Sequence, residues 1–180
     1  MSDFPIHSVA SAPPASQAAL AQVQGKYGFV PNLLGALSEA PAALSGYLQL
    51  ASILETSSLS AQERQILALA ASHANGCDYC LAAHTPAARA ANVEPQAIEA
   101  ASTGGHIADP KLEAFRVFVD TLVRKRGWAD QDDLAAFIEA GYSQQQALEV
   151  VTGIAWKTLS NYANHLIDTP IDKPFQRMAA

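Results

Sequence analysis

Cysteine is scarce in this 180-residue chain, with two in all, and charge is thin, since lysine, arginine, aspartate and glutamate make up 16% of the residues. Two cysteines exclude the disulfide framework of small secreted domains, and a chain of this length needs none, because roughly 70% of its unfolded surface is buried on folding. Basic residues are the scarcer sign, 11 against 17 acidic for a net charge of -6, and the only basic run, Arg124-Lys125-Arg126, is short. Such a balance repels a phosphate backbone, so nucleic acid is excluded as an expected partner. No apolar stretch approaches the roughly 20 residues that cross a bilayer. The start, Met1-Ser2-Asp3-Phe4-Pro5, lacks the basic-then-apolar order of a signal peptide. No membrane association is expected, and the expected location is cytoplasmic. Charge is thinnest over residues 1 to 60, which carry only Asp3, Lys26, Glu39 and Glu55. Much of that segment should therefore be covered.

What is present in quantity is apolar and helical. Hydrophobic residues are 49% of the chain, which excludes a disordered sequence. Helix signals divide the chain into blocks: Ser16 to Tyr27 with Ser16 as N-cap, Asn32 to Ser38, Pro41 to Glu55, and a helix opened by the capping box Ser60-Ala61-Gln62-Glu63 and ended near Asn75-Gly76. The next helix starts about Asn75 or Gly76 and lasts to Ala91, kinked or re-capped at Thr85-Pro86. Pro95 to Ser102 adds a turn or two. A helix from Pro110 is closed by Gly127, Asp130 caps a short one, and Ser143 caps the last long one, apolar up to about Ile167. No stretch shows period-two alternation with β-branched enrichment. The fold class is therefore all-α, about nine helices, in one domain spanning residues 1–180. The charge-poor start and the amphipathic helices leave more apolar surface than one small subunit hides, so a homo-oligomer is expected.

Cys77, Cys80 and His84 fall at i, i+3 and i+7, on one face of a helix. A cysteine in a helix's first turn faces unpaired N–H groups and the positive end of the macrodipole, both of which favour the thiolate. His84, one turn beyond Cys80, can take its proton. Cys80 is then a nucleophile with a second thiol within reach, the minimum needed to attack a peroxide oxygen and resolve the sulfenic acid as a disulfide. Two other readings stay open. The thiols could be inert small hydrophobes, or His73, Cys77, Cys80 and His84 could hold zinc, although four ligands within twelve residues differ from the two separated pairs of structural sites.

The stretches Leu59-Ser60-Ala61-Gln62-Glu63-Arg64-Gln65 and Asn75-Gly76-Cys77-Asp78-Tyr79-Cys80-Leu81-Ala82-Ala83-His84 resemble the core of the carboxymuconolactone decarboxylase and alkylhydroperoxidase AhpD-like proteins. Tyr27-Gly28-Phe29-Val30-Pro31-Asn32 upstream, and Asn161-Tyr162-Ala163-Asn164-His165-Leu166 with Thr169-Pro170 downstream, resemble the flanks of the peroxidase-related branch. The resemblance implies an AhpD-like helical subunit in trimers or hexamers. It implies a thiol-dependent peroxidase, without a cofactor, that acts on a hydroperoxide and is re-reduced by a thioredoxin-like or lipoyl partner. It assigns Cys80 as the peroxidatic thiol, Cys77 as the resolving one and His84 to a proton relay. The family's relay glutamate corresponds to Gln65 here, which cannot shuttle a proton as a carboxylate does. Glu63 is the nearest carboxylate and the remaining catalytic candidate, but two residues along a helix turn its side chain about 200° away, and capping explains it. Decarboxylase activity, the family's other name, does not rest on paired cysteines.

Of the remaining polar residues, His73 precedes the break at Asn75-Gly76 and is read as exposed or satisfied in the core, and His106 as a loop histidine. Glu149 is expected to pair with Arg64 or Lys157. Trp156, Tyr162 and His165 are read as core.

Overall fold

The computed structural model describes residues 3–179, so Met1 and Ser2 of the start lie outside the described residues. Every regular element among them is a helix: α1 (Pro14–Tyr27), α2 (Asn32–Leu37), α3 (Pro41–Glu55), α4 (Ala61–Ala74), α5 (Asp78–Ala90), α6 (Pro95–Thr103), α7 (Pro110–Arg124), α8 (Gln131–Glu139), α9 (Gln144–Ile167) and α10 (Lys173–Ala179). The tenth helix exceeds the sequence expectation. It owes its place to tertiary packing, with Phe175 set edge-on against Phe29 and Tyr79 at 5.6 and 6.1 Å, and so leaves little local pattern.

Local chemistry fixes most boundaries. Ser60 and Glu63 close the expected capping box, and Asp130 and Ser143 head two more with Asp133 and Gln146. One expectation is corrected. α1 begins at Pro14, and Ser16, inside it and buried, donates its hydroxyl to the Ser38 carbonyl at 2.7 Å instead of capping. Pro86 lies inside α5 without ending it. Beside the N–H that proline lacks, Thr85 Oγ1 donates to the Leu81 carbonyl at 2.9 Å.

α4 runs through the middle of the bundle, packed on α5, α6, α7 and α9. Gly153 lets α9 come close, since a Cβ there would stand 2.4 Å from Leu67 Cδ1. One core cluster joins α4 to α6, α7 and α8 around Phe115, Phe118 and Phe137. The second gathers Leu20, Leu33, Leu34 and Leu44 from the N-terminal helices onto Cys77, Tyr79 and Cys80. The charge-poor first 60 residues are thus the cover over the cysteine end of α5.

Candidate functional site

The junction of α4 and α5 sets the two thiols. Asn75 is the C-cap of α4, and Gly76 follows at φ 69°, a left-handed conformation open to glycine. Gly76 N–H donates to the His73 carbonyl and Cys77 N–H to the Ser72 carbonyl, both at 2.9 Å, the paired bonds of a Schellman turn. The chain leaves that turn with Cys77 as N-cap of α5. Cys77 therefore precedes the helix, while Cys80 sits in its first turn. Both are free thiols with 1 and 2% exposure.

The wall behind them is one face of α9. Lys157, Ser160, Asn161 and Asn164, at i, i+3, i+4 and i+7, are all buried. Asn164 Nδ2 donates to Cys80 Sγ at 3.2 Å and reaches Cys77 Sγ at 3.7 Å, and Ser160 Oγ lies 3.9 Å from Cys80 Sγ. The spacing of this polar stripe was readable in the sequence, although Lys157 was expected beside Glu149, and Asn161 and Asn164 entered only as part of the family-like flank.

In front of Cys80 is a cavity of about 440 Å³, lined also by His84, Gln65 and Lys157 at its inner end. Tyr47, Tyr79, Trp156 and Phe175 form aromatic walls. Cys77 is not among the lining residues, so the sulfurs divide: Cys80 faces the space and Cys77 stands behind it. The Cys77 thiol bonded to it, then the Lys157 charge, Ser160 and Asn161, lower the Cys80 thiol to about 5 against the opposing effect of burial. The hydrogen bond to Cys80 and burial push the Cys77 thiol up. Of the two sulfurs, Cys80 is the one favoured as thiolate and Cys77 the one favoured as thiol.

His84 Nδ1 is 3.1 Å from Gln65 Oε1. A side-chain carbonyl only accepts, so Nδ1 carries the hydrogen and Nε2 is left with its lone pair. Burial, with the Lys157 charge, holds the imidazole well below its ordinary range, and so neutral. Its ring stands edge-on to Trp156 at 5.3 Å.

Glu63 does not join this group. Its carboxylate accepts from Ser60 N–H at 2.7 Å in the capping box, and it is not a cavity residue. Glu149 is paired with neither Arg64 nor Lys157; it accepts from Ser58 Oγ at 2.6 Å and Ser58 N–H at 3.0 Å. Arg64 donates instead to the Leu59 carbonyl. His73 packs its ring against Gly104, where a Cβ would meet Nε2 at 2.7 Å. Among the described residues no three histidine, cysteine, aspartate or glutamate side chains gather to hold a metal. Trp156 walls the cavity, whereas Tyr162 and His165 are exposed and stack on each other at 6.5 Å, outside any core. His106 is the expected loop residue, 3.3 Å from Glu113.

Residues 38–118 match the Carboxymuconolactone decarboxylase family. No curated protein matches the chain. Among solved structures the chain is similar to the alkylhydroperoxidase AhpD core, peroxidase-related protein of Ralstonia eutropha JMP134, with TM-score 0.85 and 24% identity over 96% of this chain and 93% of that one. It is similar to a peroxidase-related protein of Silicibacter sp. TM1040, with TM-score 0.78 and 22% identity over 97 and 92%. It is also similar to the debrominase Bmp8 in complex with 2,3,4-tribromopyrrole, with TM-score 0.83 and 17% identity over 99 and 96%. These likenesses show the fold. No helix among the described residues is long and apolar enough to cross a membrane.

Proposed function

We propose that this chain, whose residues 38–118 match the Carboxymuconolactone decarboxylase family and whose fold is AhpD-like, is a thiol-dependent peroxidase of that family. The observation that carries the reading is the division of the sulfurs, with Cys80 lowered and facing the cavity while Cys77 is raised and behind it. In the reaction the Cys80 thiolate attacks the terminal oxygen of a hydroperoxide. The O–O bond breaks, Cys80 becomes a sulfenic acid, and the departing alkoxide takes up a proton from solvent water, held in place by a hydrogen bond to the Nε2 lone pair of His84. The Cys77 sulfur then attacks Cys80, its proton leaves with the hydroxyl as water, and the disulfide remains. A dithiol reductant of the thioredoxin-like or lipoyl class supplies the two electrons that restore both thiols. The aromatic walls and 440 Å³ of space suit an organic hydroperoxide better than hydrogen peroxide. Glu63 has a structural part as a helix cap, and the whole chain acts as one domain in a cytoplasmic homo-oligomer.

The test is thiol titration of reduced protein. One equivalent of cumene hydroperoxide should remove both thiols, dithiothreitol should return them, and Cys80→Ser should abolish the loss. A second reading follows from the fold shared with a debrominase, so 2,3,4-tribromopyrrole belongs in the same assay. Thiol loss with bromide release from that compound, and none with the hydroperoxide, would replace the peroxidase reading.

A further inference from the structure

Lys157 is 1% exposed at the inner end of the cavity, one of the largest fully buried side chains in the chain. A buried ammonium is costly unless an anion or strong acceptors surround it. Lys157 makes no ion pair with a carboxylate among the described residues; its Nζ lies over the Trp156 ring at 4.9 Å. Glu55, the one carboxylate among the cavity-lining residues, is 3.2 Å from Lys26 Nζ. His84 is neutral. The sulfur of Cys80, which lines the same space, is the remaining group able to carry negative charge there.

We propose that the Lys157 ammonium is the electrostatic partner of the Cys80 thiolate, a positioning residue that takes over in this chain the charge control a relay carboxylate at the Gln65 position would exercise. The assignment rests on reading Cys80 as the attacking sulfur. The ionisable groups around Cys80 are Cys77 before α5, Tyr79 and His84 of α5, Lys26 and Tyr27 of α1, Tyr47 and Glu55 of α3, Arg64 of α4 and Lys157 of α9. Besides Lys26, which pairs with Glu55, the basic side chains lining the space are Lys157 and Arg64, and the guanidinium of Arg64 is engaged by the Leu59 carbonyl. A consequence follows for the redox cycle. The reduced site holds thiolate and ammonium and is close to neutral, whereas the disulfide form holds the ammonium alone. Oxidation therefore turns the inner cavity into a site that attracts small anions, the thiolate of an incoming dithiol reductant among them.

Iodoacetamide alkylation of reduced protein, followed against pH, reads the Cys80 thiolate without any peroxide. Lys157→Met should shift the midpoint up by a unit or more, so that at pH 5.5 alkylation falls at least about threefold, and Lys157→Arg should keep the wild-type midpoint. A folded Lys157→Met protein with an unmoved midpoint would overturn the proposal. Should Lys157→Met fail to fold, Trp128→Phe protein excited at about 295 nm decides it, since Trp128 is 83% exposed and its removal leaves Trp156 as the one tryptophan in the chain. Iodide quenching, taken relative to neutral acrylamide, should rise several-fold on oxidation to the disulfide; an equal ratio in both states would count against Lys157. Absence of peroxide-driven thiol loss would defeat the peroxidase reading alone, because neither measurement uses peroxide.

Discussion

At the scale of the residue, the chemistry turns on how two neighbouring thiols are made unlike. Cys80 ionises near pH 5 in the fold and near 9.0 ordinarily. A group whose folded value is depressed adds stability that is complete above its unfolded value and is lost as pH falls through the folded one. Denaturation of the reduced protein should therefore show stability rising between about pH 5 and 9, and Cys80→Ser should flatten that slope. Above pH 9 Cys77, held as a thiol by its bond to Cys80 and by burial, works in the opposite direction. The same numbers recast His84. With the thiolate formed by its sulfur neighbour and by Lys157, a base to activate Cys80 is redundant at neutral pH, and proton delivery to the leaving oxygen remains. His84→Gln should lower peroxide-driven thiol loss by about 10²-fold, the lower end for a positioned acid–base group, with the alkylation midpoint unmoved. A midpoint that rises with His84→Gln would return the histidine to the role of activating base. Gln65→Glu, which offers the imidazole a carboxylate, should raise the rate if proton supply limits it.

At the scale of the element, the sequence was legible wherever a local interaction decides the structure. The box at Ser60 and Glu63, the helix end near Asn75-Gly76 and the spacing of Cys77, Cys80 and His84 were readable before any coordinate, whereas the left-handed Gly76 moves the start of α5 from there to Asp78. The misreadings share a cause. Ser16, Glu149 and α10 are settled by partners distant in the chain, namely Ser38, Ser58 and the Phe29–Tyr79 pair, and no local pattern announces such partners. The stripe from Lys157 to Asn164 lay in plain view, but a polar residue in a long helix reads as solvated until the opposite wall is known. Two changes test the elements. Gly153→Ala inserts a Cβ 2.4 Å from Leu67 Cδ1 and should cost about 1–3 kcal/mol in denaturant unfolding, the usual effect of overpacking. Glu63→Gln should cost about 1 kcal/mol through the α4 cap and leave the rate of thiol oxidation within twofold; a large loss of rate in folded protein would make this carboxylate part of the proton path.

At the scale of the whole molecule, α9 presents two unlike faces. Toward the bundle it carries the buried polar stripe, and away from it Leu148, Val151, Tyr162 and Leu166 are all exposed. Such a row supports the proposed homo-oligomer. Light scattering at micromolar concentration should give a mass above 19 kDa, and Leu148→Glu with Leu166→Glu should lower it towards that value; a monodisperse 19 kDa wild-type species would remove the proposal. The cavity has a division of its own. The dithiol, His84 and Gln65 all fall within residues 38–118, the segment matched to the family, whereas Tyr27, Leu34, Trp156 and Phe175 of its walls lie outside it. Part of the cavity wall is therefore carried by stretches of chain other than the one that carries the sulfurs, and can diverge independently of them. Exchanging only α1, α2 and α10 between two proteins of this fold should transfer preference among oxidants while the ionisation of the cysteine pair stays with the recipient.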